Sequence, residues 1–108
     1  MKLLIAIVQD EDASRLINAL MEEGFRVTKL ATTGGFLRAG NTTLLIGVEN
    51  DQLDHAMSAI EHVCKSRRQV ASAPAATASM GGVYSHPVEV TVGGATVFVL
   101  SVEQFVKL

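Results

Sequence analysis

The chain carries one cysteine, Cys64, in 108 residues. That excludes an internal disulfide and any zinc site built from several cysteines. Charge is also sparse, at 19% of residues with a net of −2 and no basic stripe. Bulk electrostatic binding to duplex nucleic acid is therefore not expected. The N-terminal apolar run, Leu3–Val8, covers only six residues before the acids begin. It is too short to span a membrane and has no small-residue cleavage site, so the expected location is cytoplasmic. Two phosphate-binding signatures are missing. No G-x-x-x-x-G-K-[ST] opens a helix, and no G-x-G-x-x-G follows a strand. No nucleophile stands beside a base, and the three histidines are scattered, so an enzyme is not expected. His55 and His62 lie seven apart with no third ligand, so no metal site is expected either.

What is present reads as a globular domain. The hydrophobic fraction is 48%, enough for a core in one domain spanning residues 1–108. Leu3–Val8 is continuously apolar and rich in branched residues, which predicts a strand covered on both faces. Asp10, Glu11 and Asp12 suit a helix N-terminus by capping and dipole. Ala13, Leu16, Ile17, Leu20 and Met21 recur at helical spacing, and Gly24 closes that helix. From Phe25 the pattern alternates: Phe25 and Val27 face one way, Arg26, Thr28 and Leu30 the other. Leu44–Val48 is a third strand interrupted by Gly47, and a strand glycine often marks close approach by another group. Asn50 or Asp51 caps a second helix with the stripe Leu53, Ala56, Met57, Ile60, Val63 and Cys64. Lys65, Arg67 and Arg68 suit its C-terminus. A long loop about 70–86, rich in Ala, Ser and Gly, reads as mobile. Val88–Val92 and Ala95–Leu100 are strands, and Gly93-Gly94 between them is a hairpin signal. Val102–Leu108 is a short helical turn or tail.

The expected fold is therefore α+β, a ferredoxin-like split βαβ sandwich with an additional C-terminal β-hairpin. Two helices cover one face of such a sheet. Leu30, Phe98 and Leu100 would leave the other face apolar and wet, which self-association of sheets would remedy.

The stretch Thr28–Val48 carries the candidate site. Gly34, Gly35 and Gly40 allow backbone angles closed to other residues and let a ligand approach the main chain. Consecutive N–H groups there can form an anion-binding nest. Arg38 adds charge, Phe36 a flat apolar face, and Asn41 an amide with donors and acceptors. The plainer reading, a glycine-rich connection between two strands, stays open. So does the reading of Arg26 and Thr28 as merely solvent-exposed.

The segments IAIVQD (Ile5–Asp10), FRVTKLATTGGFLRAGNTT (Phe25–Thr43) and VGGATVFVL (Val92–Leu100) resemble the PII-like cyclic di-AMP receptor proteins. The similarity runs over nearly the whole chain, and the run around the glycine loop is long and specific. The resemblance implies a PII-like homotrimer with cyclic di-AMP in clefts between neighbouring subunits. It implies ligand-dependent loop ordering that signals to an unknown protein effector. Carried over position by position, it implies that Arg26 and Thr28 reach phosphate or adenine. Gly35, Phe36 and Leu37 would hold a base, Asn41 would bond an adenine edge, and Gly47 and Phe98 would line the pocket. The chain departs from true PII proteins in its short loop between the second and third strands, which has no tyrosine. Nucleotidylation is accordingly not expected. The alternatives are a PII-like sensor of another nucleotide such as ATP, or a trimeric module with no small ligand.

Overall fold

The structure is a computed structural model that describes residues 1–30, 40–71 and 88–108. Strand β1 (Lys2–Gln9) leads into helix α1 (Asp10–Glu22), then β2 (Arg26–Leu30) and β3 (Asn41–Val48). A 3-10 turn at Asn50–Gln52 precedes α2 (Leu53–Cys64), which is followed by β4 (Arg67–Ala71), β5 (Val88–Val92) and β6 (Ala95–Ser101). Four strands form one antiparallel sheet in the order β2-β3-β1-β6, while β4 and β5 pair separately. The alternation and strand order are consistent with a ferredoxin-like fold, with β4 and β5 inserted between α2 and the last sheet strand.

Strand alternation builds the core. Leu4, Ala6 and Val8 of β1 and Leu44, Ile46 and Val48 of β3 turn to one face and are buried. Across the ladder Leu4 faces Ile46 and Ala6 faces Leu44. The helices lay Ala13, Leu16, Leu20, Ala56, Ile60 and Cys64 over them. Met21, expected in the first helical stripe, points outward instead and is exposed. Gly24 ends α1 as expected. It adopts φ +88°, its N–H donates to the Met21 carbonyl, and the Phe25 N–H donates to the Leu20 carbonyl. That is a Schellman closure, and it carries Phe25 into the core.

Four expectations need correction. Val88–Val92 and Ala95–Ser101 are strands, but they do not form a hairpin with each other. β5 pairs with β4 from Arg67↔Val92 to Ala71↔Val88, and β6 pairs with β1 from Lys2↔Ser101 to Val8↔Ala95. The cause is the open edge of β1, which accepts seven residues of β6. Gly93 and Gly94, both at positive φ, serve as the crossing between sheets. Secondly, Arg67 and Arg68 do not extend the second helix, because the chain turns extended at Lys65. Thirdly, Val70 and Ala71 belong to β4, and the rest of the expected loop lies outside the described residues. Finally, no side-chain capping bond forms at either helix start: Gln9 precedes α1 and Gln52 precedes α2. Asp10 and Asp12 have other partners, described below.

Candidate functional site

The sheet face away from the helices carries the site candidates. Alternation puts Leu3, Ile5 and Ile7 of β1, Leu45 and Gly47 of β3, and Arg26 and Thr28 of β2 there together. Cross-strand register sets them in rows. Arg26 faces Gly47, which faces Leu3, which faces Leu100. In the next row Thr28 faces Leu45, then Ile5, then Phe98. Leu30, Phe98 and Leu100 are all exposed, so this face is apolar and open, as the sequence pattern implies.

A hollow of about 580 Å³ opens on this face. Leu3, Leu45 and Gly47 form its floor, Arg26 and Thr28 one side, and Met1, Val102, Phe105 and Lys107 the other. Because Gly47 has no side chain, a ligand can reach the strand backbone between Arg26 and Leu3. Arg26 and Lys107 supply two cations, and Thr28 a hydroxyl that both donates and accepts. Among the described residues no carboxylate pairs with Arg26. Its guanidinium is suited to a bidentate contact with phosphate. Phe105 is 65% exposed and presents a ring at the rim.

Three expected residues thus converge: Arg26, Thr28 and Gly47. Two others share the face without entering the hollow. Asn41 lies six residues from Gly47 along β3, roughly 20 Å away at strand rise. It stands opposite Gln9 beside a second hollow of about 390 Å³, with Asp10, Glu11 and Gly40. Phe98 lies across the sheet on β6, opposite Ile5 and half exposed. Gly35, Phe36 and Leu37 lie outside the described residues. Phe105 and Lys107 escape sequence reasoning, because the tail has no period and only its course over the sheet brings it to the hollow.

Among the described residues no group of three His, Cys, Asp or Glu side chains could hold a metal ion. No described helix is long and apolar enough to cross a membrane. Cys64 is buried, and burial pushes its thiol up to about 11. It is therefore protonated at neutral pH and a poor nucleophile.

The ferredoxin-like sandwich thus carries on its open sheet face a hollow of the kind that takes a small ligand, with Arg26 and Lys107 at its sides and Gly47 in its floor. Comparison with known proteins makes this specific. Residues 1–108, the whole chain, match the cyclic-di-AMP receptor family, and the chain belongs to it. It is also similar to a crystal structure of a functionally unknown protein from Pediococcus pentosaceus ATCC 25745. The two share 41% sequence identity and a TM-score of 0.78, over 99% of this chain and 96% of the other.

Proposed function

We propose that this protein is a signal-transduction receptor that binds cyclic di-AMP and is not an enzyme. The observation that carries the reading is the meeting of Arg26, Thr28 and Gly47 in one hollow, in a chain of the cyclic-di-AMP receptor family. In this reading Arg26 holds a phosphate and Gly47 gives an adenine or ribose access to the strand. Asn41 bonds an adenine edge, and Gly35, Phe36 and Leu37 complete that end of the site.

The separation of Asn41 and Phe98 from the hollow favours a site assembled from more than one copy. A PII-like homotrimer that packs these apolar sheet faces together would cover Leu30, Phe98 and Leu100. It would also bring one subunit's hollow to another's strand end, with cyclic di-AMP in each cleft. Binding would order loops, and a protein effector would read the change as a shift in the loop ensemble. The proposed setting is cytoplasmic.

Titration calorimetry with cyclic di-AMP, with cyclic di-GMP and ATP as controls, tests this directly. The expected result is selective binding of cyclic di-AMP at one ligand per chain, weakened at least tenfold in Arg26→Ala. Loss of a hydrogen bond to a charged group, worth about 1.5–3 kcal/mol, sets that scale. Response to ATP alone would replace the ligand, and silence with all three would remove the receptor reading.

Asn41 gives a separate prediction. Asn41→Ala removes a directional bond and leaves a buried base edge unpaired, at about 1–3 kcal/mol. Affinity should fall roughly tenfold. Full affinity would place the adenine elsewhere.

A further inference from the structure

The first turn of α1 stands between two segments far apart in sequence. On one side it holds the strand that leaves the glycine loop. The Asp10 N–H donates to the Gly40 carbonyl at 2.8 Å, and the Thr42 hydroxyl donates to Asp10 Oδ1 at 2.5 Å. Gly40 and Thr42 flank Asn41. On the other side the same turn, with Gln9 just before it, holds the base of the β4–β5 ribbon. The Gly93 N–H donates to Gln9 Oε1 at 2.8 Å. Arg67 donates to the Asp12 carboxylate through Nη2 at 2.9 Å and Nη1 at 3.4 Å.

These contacts are closely fitted. Asp12 has no exposure at all and also accepts from Arg15 at 2.8 Å. A Cβ placed on Gly93 would stand 2.5 Å from Arg67 Nη1 and 2.9 Å from the Lys65 carbonyl. Gly93 therefore lets the Arg67 side chain pass to Asp12. Among the described residues the ribbon has little else to fix it. Its two strands pair with each other, Val70 and Val88 are exposed, and Arg68 meets Glu89 across it at 3.4 Å. A two-stranded ribbon alone is marginal in water. Its direction is set at its base by Gln9, Asp12 and the bond from the Gly94 N–H to the Cys64 carbonyl.

We propose that Gln9–Asp12 couple occupancy at Asn41 to the attitude of the β4–β5 ribbon, with Arg67 as the positioning residue that carries the coupling. The ligand part of this inference rests on the cyclic di-AMP reading above. A ligand that holds Asn41 restrains Gly40 and Thr42, which restrain Asp10. The helical turn moves as a unit, so Asp12 and Gln9 restrain Arg67 and Gly93. The coupling is reciprocal: loosening the ribbon base weakens the ligand by the factor by which the ligand steadies the base.

Amide hydrogen exchange tests it in two arms. Without ligand, Thr42→Val removes the bond to Asp10 and keeps the shape of the side chain, while Thr42→Ser keeps the bond. The expected result is faster exchange at Gly93 and the ribbon amides in Thr42→Val, wild-type rates there in Thr42→Ser, and unchanged central amides of β1. Unchanged Gly93 and ribbon rates in Thr42→Val would overturn the coupling. In the second arm, cyclic di-AMP should slow ribbon exchange about fivefold or more in the wild type. It should slow it little in Arg67→Gln, which should bind the ligand more weakly by a matching factor. A ligand that binds the wild type and leaves the ribbon rates unchanged would also overturn the coupling. No binding by the wild type would remove the cyclic di-AMP reading, and the Thr42 comparison would still decide whether the two segments are linked.

Discussion

Gly47→Leu should lose cyclic di-AMP binding by at least a hundredfold and keep the fold. The two halves of that expectation have separate causes. Gly47 lies within β3, where its backbone is extended and a Cβ would meet nothing within 4 Å. The strand therefore accepts a side chain. Glycine inside a strand costs about 0.5–1 kcal/mol relative to alanine, so the variant should melt at or slightly above the wild-type temperature. The open space is the hollow itself, between Arg26 and Leu3. A leucine there occupies the floor on which the ligand must rest. A hundredfold loss corresponds to about 2.8 kcal/mol, a modest demand for steric exclusion. Gly47→Ala should fall between. Calorimetry beside a thermal melt separates the effects: lost affinity with an intact melt supports the site, and wild-type affinity in Gly47→Leu moves the ligand off this face.

The position of Gly47 shows what was legible in the sequence. Strand alternation fixes which residues of one strand share a face, so Arg26 and Thr28 group from period alone, while Gly47 joins them through the resemblance and the register Arg26↔Gly47. The helical stripes and the Gly24 closure are equally local. The misread elements depend on distant partners. Gly93-Gly94 has the composition of a tight hairpin, and both residues do take positive φ. Yet β6 leaves β5 because β1 has a free edge, a fact held about ninety residues away. Arg67 looks like the basic end of a helix, while its carboxylate partner lies 55 residues earlier in the chain. The resemblance places Asn41 in one site with Gly47, while the sequence pattern starts the third strand only at Leu44; β3 in fact runs from Asn41 to Val48. The strand's length sets them at opposite ends. Phe105 and Lys107 have no periodic signal at all, and only the tail's path over the sheet reveals them.

The sequence pattern of Asp10–Asp12 predicts helix capping, and Asp12 instead carries the second large prediction. Asp12→Asn should lower stability at neutral pH by about 1.5–3 kcal/mol, the range for hydrogen bonds to a charged group. The variant keeps the volume and one acceptor, but it turns an amide donor toward guanidinium donors at a side chain with no solvent exposure. The loss should close in acid, and the direction follows from linkage. The hydrogen bond from Arg67, above all, holds the Asp12 carboxyl below its ordinary value of 3.8. Burial pushes the other way and Arg15 assists the lowering. A carboxylate depressed by folding contributes fully above its unfolded value and loses that contribution as pH falls through its folded one. The asparagine cannot titrate. Denaturation curves of the two proteins should therefore stay apart from pH 7 down to about pH 4. Below that they should draw together as the wild type takes up its proton. A gap of constant size into strong acid would show that the charge on Asp12 is not what the site uses. Convergence would show that the ion pair at the base of the ribbon is held by a carboxylate that stays charged until the medium is more acid than the unfolded chain requires.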